Sequence, residues 1–161
     1  MLKGEPGTKI TIKVKKAITN EEKTLVFNRE EIKIENVPYF GMVNDKVGYI
    51  KLTMFTDNAA QEVQDALKEL KKNPNFKGVM LDLRGNGGGL LNEAINICNT
   101  FVDKGTNIVN TKGKIQEANF QYATTGKPVD TDIPLAVLTD GGSASASEIV
   151  SGSMQDLDRG I

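Results

Sequence analysis

Residues 78–83 (Gly-Val-Met-Leu-Asp-Leu) form a short, nearly continuous apolar run that opens into a glycine cluster and then a helical pattern. Such a run suits a central strand of a parallel sheet, buried on both faces beneath helices. The helix that follows carries Leu91, Ala94, Ile95, Cys98, Phe101 and Val102 on one stripe. The same succession recurs on either side. Residues 47–55 read as a strand, after which Thr56, Asp57 and Asn58 offer N-caps for a helix with Val63, Ala66, Leu67 and Leu70 at helical spacing, stopped by Asn73-Pro74. Residues 135–138 read as a last strand, leading through small residues into a helix with Ile149, Val150, Met154 and Leu157. Strands alternating with helices of this length define an α/β domain with buried parallel strands.

The remaining segments are less regular. Residues 9–15 alternate, with Ile10, Ile12 and Val14 on one face, and read as a strand behind a turn at 4–7. Residues 17–46 carry weaker strand signals at 24–27 and 31–37, broken by Asn-rich and Pro/Gly turns, and read as a linker or interdomain ribbon. Residues 106–111 and 115–123 can pair around Lys112-Gly113-Lys114. At 158–161 a turn heads towards a further strand. A sheet ending there would keep an unpaired edge, so the chain reads as a piece of a longer protein, prone to form homo-oligomers or exchange strands.

Composition limits the chemistry. A net charge of −1 and the lack of a basic cluster interleaved with aromatics argue against nucleic acid as a partner. The one cysteine, Cys98, excludes an internal disulfide, and its place on an apolar stripe reads as a packed thiol. With no histidine and one cysteine, neither a zinc site nor any other metal or cofactor is expected. No apolar run is long enough to span a bilayer, and no signal segment follows Met1.

Two glycine-rich turns remain, both at carboxyl ends of expected parallel strands, where active sites of open α/β sheets lie. The first, residues 82–90, is not a dinucleotide fingerprint: its third glycine would fall on Leu90, and Asn110-Thr111-Lys112 stands where the acidic ribose ligand belongs. Gly126-Lys127 is followed by Pro128 and makes no P-loop. Glycines at such a turn do set backbone N–H groups where an oxyanion can approach. The second turn, Gly141-Gly142-Ser143-Ala144-Ser145-Ala146-Ser147-Glu148-Ile149, joins strand to helix through small residues, the general geometry that exposes a serine hydroxyl. Ser145 or Ser147 could equally be an N-cap. A serine nucleophile here needs a base other than histidine.

These motifs together resemble the C-terminal processing peptidases, also called tail-specific proteases. The resemblance is carried by Gly48-Tyr49-Ile50 with Phe55, by Asp82-Leu83-Arg84 with Asn86, Gly88, Gly89 and Leu90, and by residues 142–149 with Met154-Gln155-Asp156. It covers about residues 47–161. It implies a serine endopeptidase with a Ser-Lys dyad on a Clp protease/crotonase-like α/β core, acting on proteins with an accessible C-terminal tail, outside the cytoplasm in the periplasm or cell envelope. Residues 1–16 would be the C-terminal remnant of a PDZ domain, 17–46 the linker and 47–161 the protease core. Residue by residue, the resemblance makes Ser145 the nucleophile, with Ser143 and Ser147 structural. It draws the oxyanion hole from the N–H groups of Ala146 and Gly88, with Gly87 and Gly89 as competitors. Asp156, Glu148 and Arg84 would support the site. The family's base lysine lies about 25 residues beyond the nucleophile, whereas none of the sixteen residues after Ser145 is lysine. Lys104, Lys112, Lys114 and Lys127 fall in loop or hairpin patterns, where a base that needs desolvation is out of place. The 161-residue chain alone is therefore expected to be inactive. The rival readings are a non-catalytic peptide-binding or scaffold protein on the same fold, and a crotonase-like acyl-CoA enzyme, which the serine turn disfavours.

Overall fold

The computed structural model describes residues 2–31 and 35–161; the strand expected over 31–37 lies partly outside them. The chain divides into two compact units, Met1–Ile34 and Glu35–Ile161. In the first, strands β1 (Lys9–Lys15) and β2 (Glu22–Asn28) form an antiparallel hairpin, with Ile10 opposite Phe27 and Ile12 opposite Leu25. Alternation puts those apolar residues on one face and the β1 lysines on the other. Arg29 ties down the open end, its guanidinium donating to the carbonyls of Leu2 (3.1 Å) and Lys9 (3.1 Å) and to Thr8 Oγ1 (2.9 Å).

The second unit runs β3 (Tyr39–Met42), β4 (Val47–Lys51), α1 (Ala59–Leu70), β5 (Gly78–Asp82), α2 (Leu91–Phe101), β6 (Asn107–Thr111), β7 (Phe120–Ala123), β8 (Leu135–Leu138) and α3 (Ala146–Asp156). One sheet has the order β3-β4-β5-β8, with β3 antiparallel to β4 and the other neighbours parallel. Strands β6 and β7 make a separate antiparallel hairpin. The two compact units thus divide at 34/35. Residues 22–28 are half of a hairpin, and 39–42 are an edge strand of the main sheet. Both were faint in the sequence because they are short, lie largely exposed and carry little alternation.

Leu52, Leu81 and Leu83, all fully buried, meet Val63 and Leu67 of α1, Ile97 and Phe101 of α2, and Val150 and Met154 of α3 in one core. Each such side chain contributes about 1.5–3 kcal/mol relative to exposure. The strand expected over 47–55 ends at Lys51. There the chain turns so that Thr53 N–H donates to the Asn36 carbonyl (2.9 Å), and Phe55 rejoins the structure as a parallel bridge to Gly89. Helix α1 begins behind Asn58 without a side-chain cap from it; Glu93 of α2 accepts the Ala60 N–H instead, at 2.7 Å. A carboxylate borrowed from the neighbouring helix does the capping that Thr56, Asp57 and Asn58 were expected to do.

Parallel register brings three strand ends together: Lys51 lies opposite Asp82, and Asp82 opposite Leu138. Beyond β8, the Ile161 N–H donates to the Leu135 carbonyl (3.1 Å) and its carbonyl accepts from the Val137 N–H (2.7 Å).

Candidate active site

The turns after β5 and β8 lie side by side, and the polar groups between them are mutually engaged. Asp140 Oδ1 accepts the N–H groups of Gly85 (2.8 Å) and Gly142 (2.9 Å), joining the two turns. Those two amides, the Gly85 one first, hold the Asp140 carboxyl below its ordinary pKa. Ser143 Oγ donates to the Leu83 carbonyl at 2.8 Å, and Ser147 Oγ donates to the Asn86 carbonyl at 2.9 Å in a buried setting. Two of the three serine hydroxyls therefore bind one turn to the other.

Ser145 differs from both. It is exposed, its side chain reaches no carbonyl of the facing turn and instead forms a capping box with Glu148 of its own helix, and its backbone sits at φ 54°, ψ −114°. A non-glycine residue in that region carries about 1–3 kcal/mol of strain, a feature that gathers at functional sites. The distortion is held in place by Glu148, whose Oε2 accepts the Ser145 N–H at 2.6 Å, and by the N–H groups of Glu148 and Ile149, which donate to the Ser145 carbonyl at 2.9 and 3.0 Å. This is the strained strand-to-helix elbow that lifts a serine oxygen clear of the sheet. Among the described residues the Ala146 N–H, first on α3, has no hydrogen-bond partner, and it forms part of the positive end of the helix dipole.

The glycine turn faces the elbow at close quarters. A Cβ on Gly88 would lie 2.8 Å from the Ala144 carbonyl oxygen, 2.8 Å from Ser145 Cβ and 3.0 Å from the Ala146 nitrogen, and φ there is +99°. Only glycine fits. The Gly88 N–H, drawn above as an oxyanion donor, is not free: it donates to Asn86 Oδ1 at 2.9 Å. Asp156 is also displaced from its expected role. It ends α3, about 16 Å along the axis from Ser145, exposed and without a bond into the site. A motif position carried over in sequence need not be a neighbour in space.

Arg84 stands at the rim. Its guanidinium grips Asp82 bidentately, Nε to Oδ1 at 3.0 Å and Nη2 to Oδ2 at 2.7 Å. Tyr49 Oη donates to Asp82 Oδ2 at 2.5 Å, and Lys51 Nζ lies 3.3 Å from Oδ1 while donating to the Arg84 carbonyl at 2.6 Å. The Arg84 guanidinium is the main cause that holds the Asp82 carboxyl far below its usual range, and Asp82 in return holds Arg84 above its own. Burial, then Asp82, raises the Tyr49 phenol. Lys51 is the lysine that the sequence reading passed over. Its ammonium is engaged on Asp82 and on the Arg84 carbonyl rather than on Ser145. Lys104, Lys112, Lys114 and Lys127 are all exposed. Burial pushes the Cys98 thiol up to about 12, which leaves it inert as a nucleophile.

A strained, exposed serine thus stands beside an unpartnered helix-terminal N–H and a tight glycine turn, parts that serine acyl transfer would need. Residues 46–161 match the model of peptidase family S41, and the chain belongs to that family. It is 35% identical over 158 residues to a carboxy-terminal-processing protease of Bartonella bacilliformis, covering 96% of this chain and 36% of the relative. It is 35% identical over 159 residues to a probable CtpA-like serine protease of Staphylococcus aureus, covering 98% of this chain and 31% of that one. Among solved structures, the photosystem II D1 C-terminal processing protease superposes with a TM-score of 0.69 at 29% identity, over 98% of this chain and 44% of that chain. The chain spans about a third of the length of these curated relatives.

Proposed function

We propose that the protein containing this chain is a serine endopeptidase that cleaves proteins near their C-terminal tails, with Ser145 as nucleophile. The observation that carries this is the division among the three serines: Ser143 and Ser147 are engaged on carbonyls of the facing turn, whereas Ser145 stands exposed on a strained elbow. Ser145 Oγ would add to the scissile carbonyl and form an acyl-enzyme that water then hydrolyses. The Ala146 N–H and an N–H of the glycine turn would receive the oxyanion. Glu148 holds the elbow, and Arg84 with Asp82 braces the strand end beneath the glycine turn.

A serine hydroxyl is a weak nucleophile without a base. Among the described residues no lysine is hydrogen-bonded to Ser145, so the base that completes a Ser-Lys dyad would come from elsewhere in the full-length protein, and residues 1–161 alone should not turn over. Residues 1–16 would be the C-terminal remnant of a PDZ domain that binds or gates the substrate tail; strand β1 (Lys9–Lys15), with one apolar face, fits that reading. The enzyme would act outside the cytoplasm, in the periplasm or cell envelope; the names of the relatives support carboxy-terminal processing.

The test is proteolysis by the full-length enzyme of a protein with an unstructured C-terminal tail, followed by mass spectrometry. Wild type should release tail fragments, while Ser145→Ala and the 161-residue chain should release none. Equal cleavage by Ser145→Ala would remove the nucleophile assignment, and turnover by the 161-residue chain would remove the outside base.

A further inference from the structure

Asn86 is fully buried, and every polar group it owns is engaged. Its N–H donates to the Leu83 carbonyl (3.0 Å), and its own carbonyl accepts the Ala144 N–H (3.1 Å) and Ser147 Oγ (2.9 Å). In the side chain, Nδ2 donates to the Leu52 carbonyl (3.0 Å) and Oδ1 accepts the Gly88 N–H (2.9 Å). Leu52 follows β4, Gly88 follows β5, and Ala144 and Ser147 follow β8. One residue thus fastens the segments leaving three parallel strands.

The bond to Gly88 also has a directional effect. The Gly88 carbonyl accepts the Phe55 N–H (3.2 Å), and the Leu90 N–H donates to the Phe55 carbonyl (2.7 Å), which makes residues 88–90 a short extended segment beside Phe55. Peptide groups along an extended segment face alternate sides, so the Gly89 N–H faces away from Phe55. It has no hydrogen-bond partner among the described residues. With the Gly88 N–H turned onto Asn86, the donors without a partner on this turn among the described residues are Gly87 and Gly89, and Gly89 is the one whose orientation the Phe55 bridge fixes.

We infer that Asn86 is a positioning residue for acyl transfer at Ser145: by holding the Gly88 N–H and the start of α3 together, it sets the Gly89 N–H beside the Ala146 N–H as the second oxyanion donor. The inference rests on the reading of Ser145 as nucleophile. It assigns Asn86 an effect on the transition state and little on substrate binding, since it reaches no exposed surface.

The test compares variants of the full-length enzyme in kcat, in KM and in affinity for a peptide boronate, which forms a reversible tetrahedral adduct on the serine oxygen and so reports the oxyanion donors. Asn86→Ala should lower kcat and boronate affinity together, by about tenfold to a hundredfold, with KM held within about threefold. Ser147→Ala, which removes one bond to the Asn86 carbonyl, should show the same pattern at less than about tenfold, and it decides the matter if Asn86→Ala does not fold. Asn99→Ala is the control: this buried asparagine pairs with Gly126 (Nδ2 to O 3.1 Å, Oδ1 from N–H 2.6 Å), so it should lose stability and leave the boronate-to-KM ratio alone. The inference is overturned if the folded Asn86 or Ser147 variant leaves boronate affinity unchanged, weakens KM equally, or matches Asn99→Ala. Activity surviving in Ser145→Ala would instead overturn the nucleophile reading, a separate outcome.

Discussion

The turn after β5 and the turn after β8 share one topology, strand to glycines to helix, yet they are built for opposite tasks. The first is closed on itself. Asn86 and the Phe55 bridge hold its backbone groups, and α2 starts at Leu90 in ordinary extended geometry with no side-chain cap. The second concentrates strain at one residue, Ser145, and stabilises it from both sides through Glu148, Ser143 and Ser147. One turn supplies a fixed surface of amides; the other presents a hydroxyl against it. The difference teaches that in this fold glycine secures close approach, and serine secures both the anchoring and the exposed oxygen.

That contrast can be broken most severely at Gly88. Gly88→Ala forces a Cβ into the Ala144 carbonyl and Ser145 at a φ that L residues avoid, so a loss of about 3 kcal/mol or more in unfolding free energy is expected by denaturant titration, along with loss of activity. A near-neutral result would mean that the turns are not in contact. Next in size, Ser147→Ala removes one of the two bonds to the Asn86 carbonyl, which keeps the Ala144 N–H, and should cost about 1 kcal/mol, while Ser145→Ala, which breaks no bond to the facing turn, should cost less. Equal losses from the two would erase the distinction between an anchoring and an exposed serine. Ser145→Gly sharpens it in the other direction: removing the Cβ at φ 54° should make the variant more stable than Ser145→Ala by about 1 kcal/mol in the same titration, since strain is relieved.

The smallest effect is that of pH. Asp82 and Asp140 both have folded-state pKa values below their ordinary ones, Asp82 through Arg84 and Asp140 through the Gly85 and Gly142 amides. A depressed carboxyl pKa means that the unfolded chain binds protons more readily. The stability it gives is therefore complete above the unfolded value, about 3.9, and is lost as pH falls below it. Urea midpoints should hold steady from pH 7 to pH 5 and fall below about pH 4, and Asp82→Asn should flatten part of that fall. An unchanged slope in Asp82→Asn would show that its grip on Arg84 adds nothing to folding.

Much of this was legible in the chain because it is local. The apolar run at 78–83 became β5, residues 135–138 became β8 unchanged, and the helical stripes fell where their spacing put them. What was hidden depends on partners far along the sequence. Nothing near Ser143 or Ser147 announces that their hydroxyls meet the carbonyls of Leu83 and Asn86, some 60 residues away. Nothing in the glycine run itself signals that the Gly88 N–H is taken by the side chain of Asn86 two residues before it. Lys51 and Tyr49 converge on Asp82 only once the sheet register is known. Asp156 shows the reverse failure, a motif position that the helix carries away from the site.

The central claim is that Ser145, alone of the three serines, is exposed and not bound to the facing turn. It is tested most directly by treating the full-length enzyme with a serine-directed phosphonate and mapping the adduct by peptide mass spectrometry. The account requires a single adduct on Ser145, absent in Ser145→Ala and retained in Ser143→Ala. An adduct on Ser143 or Ser147, or undiminished labelling of Ser145→Ala, would contradict it.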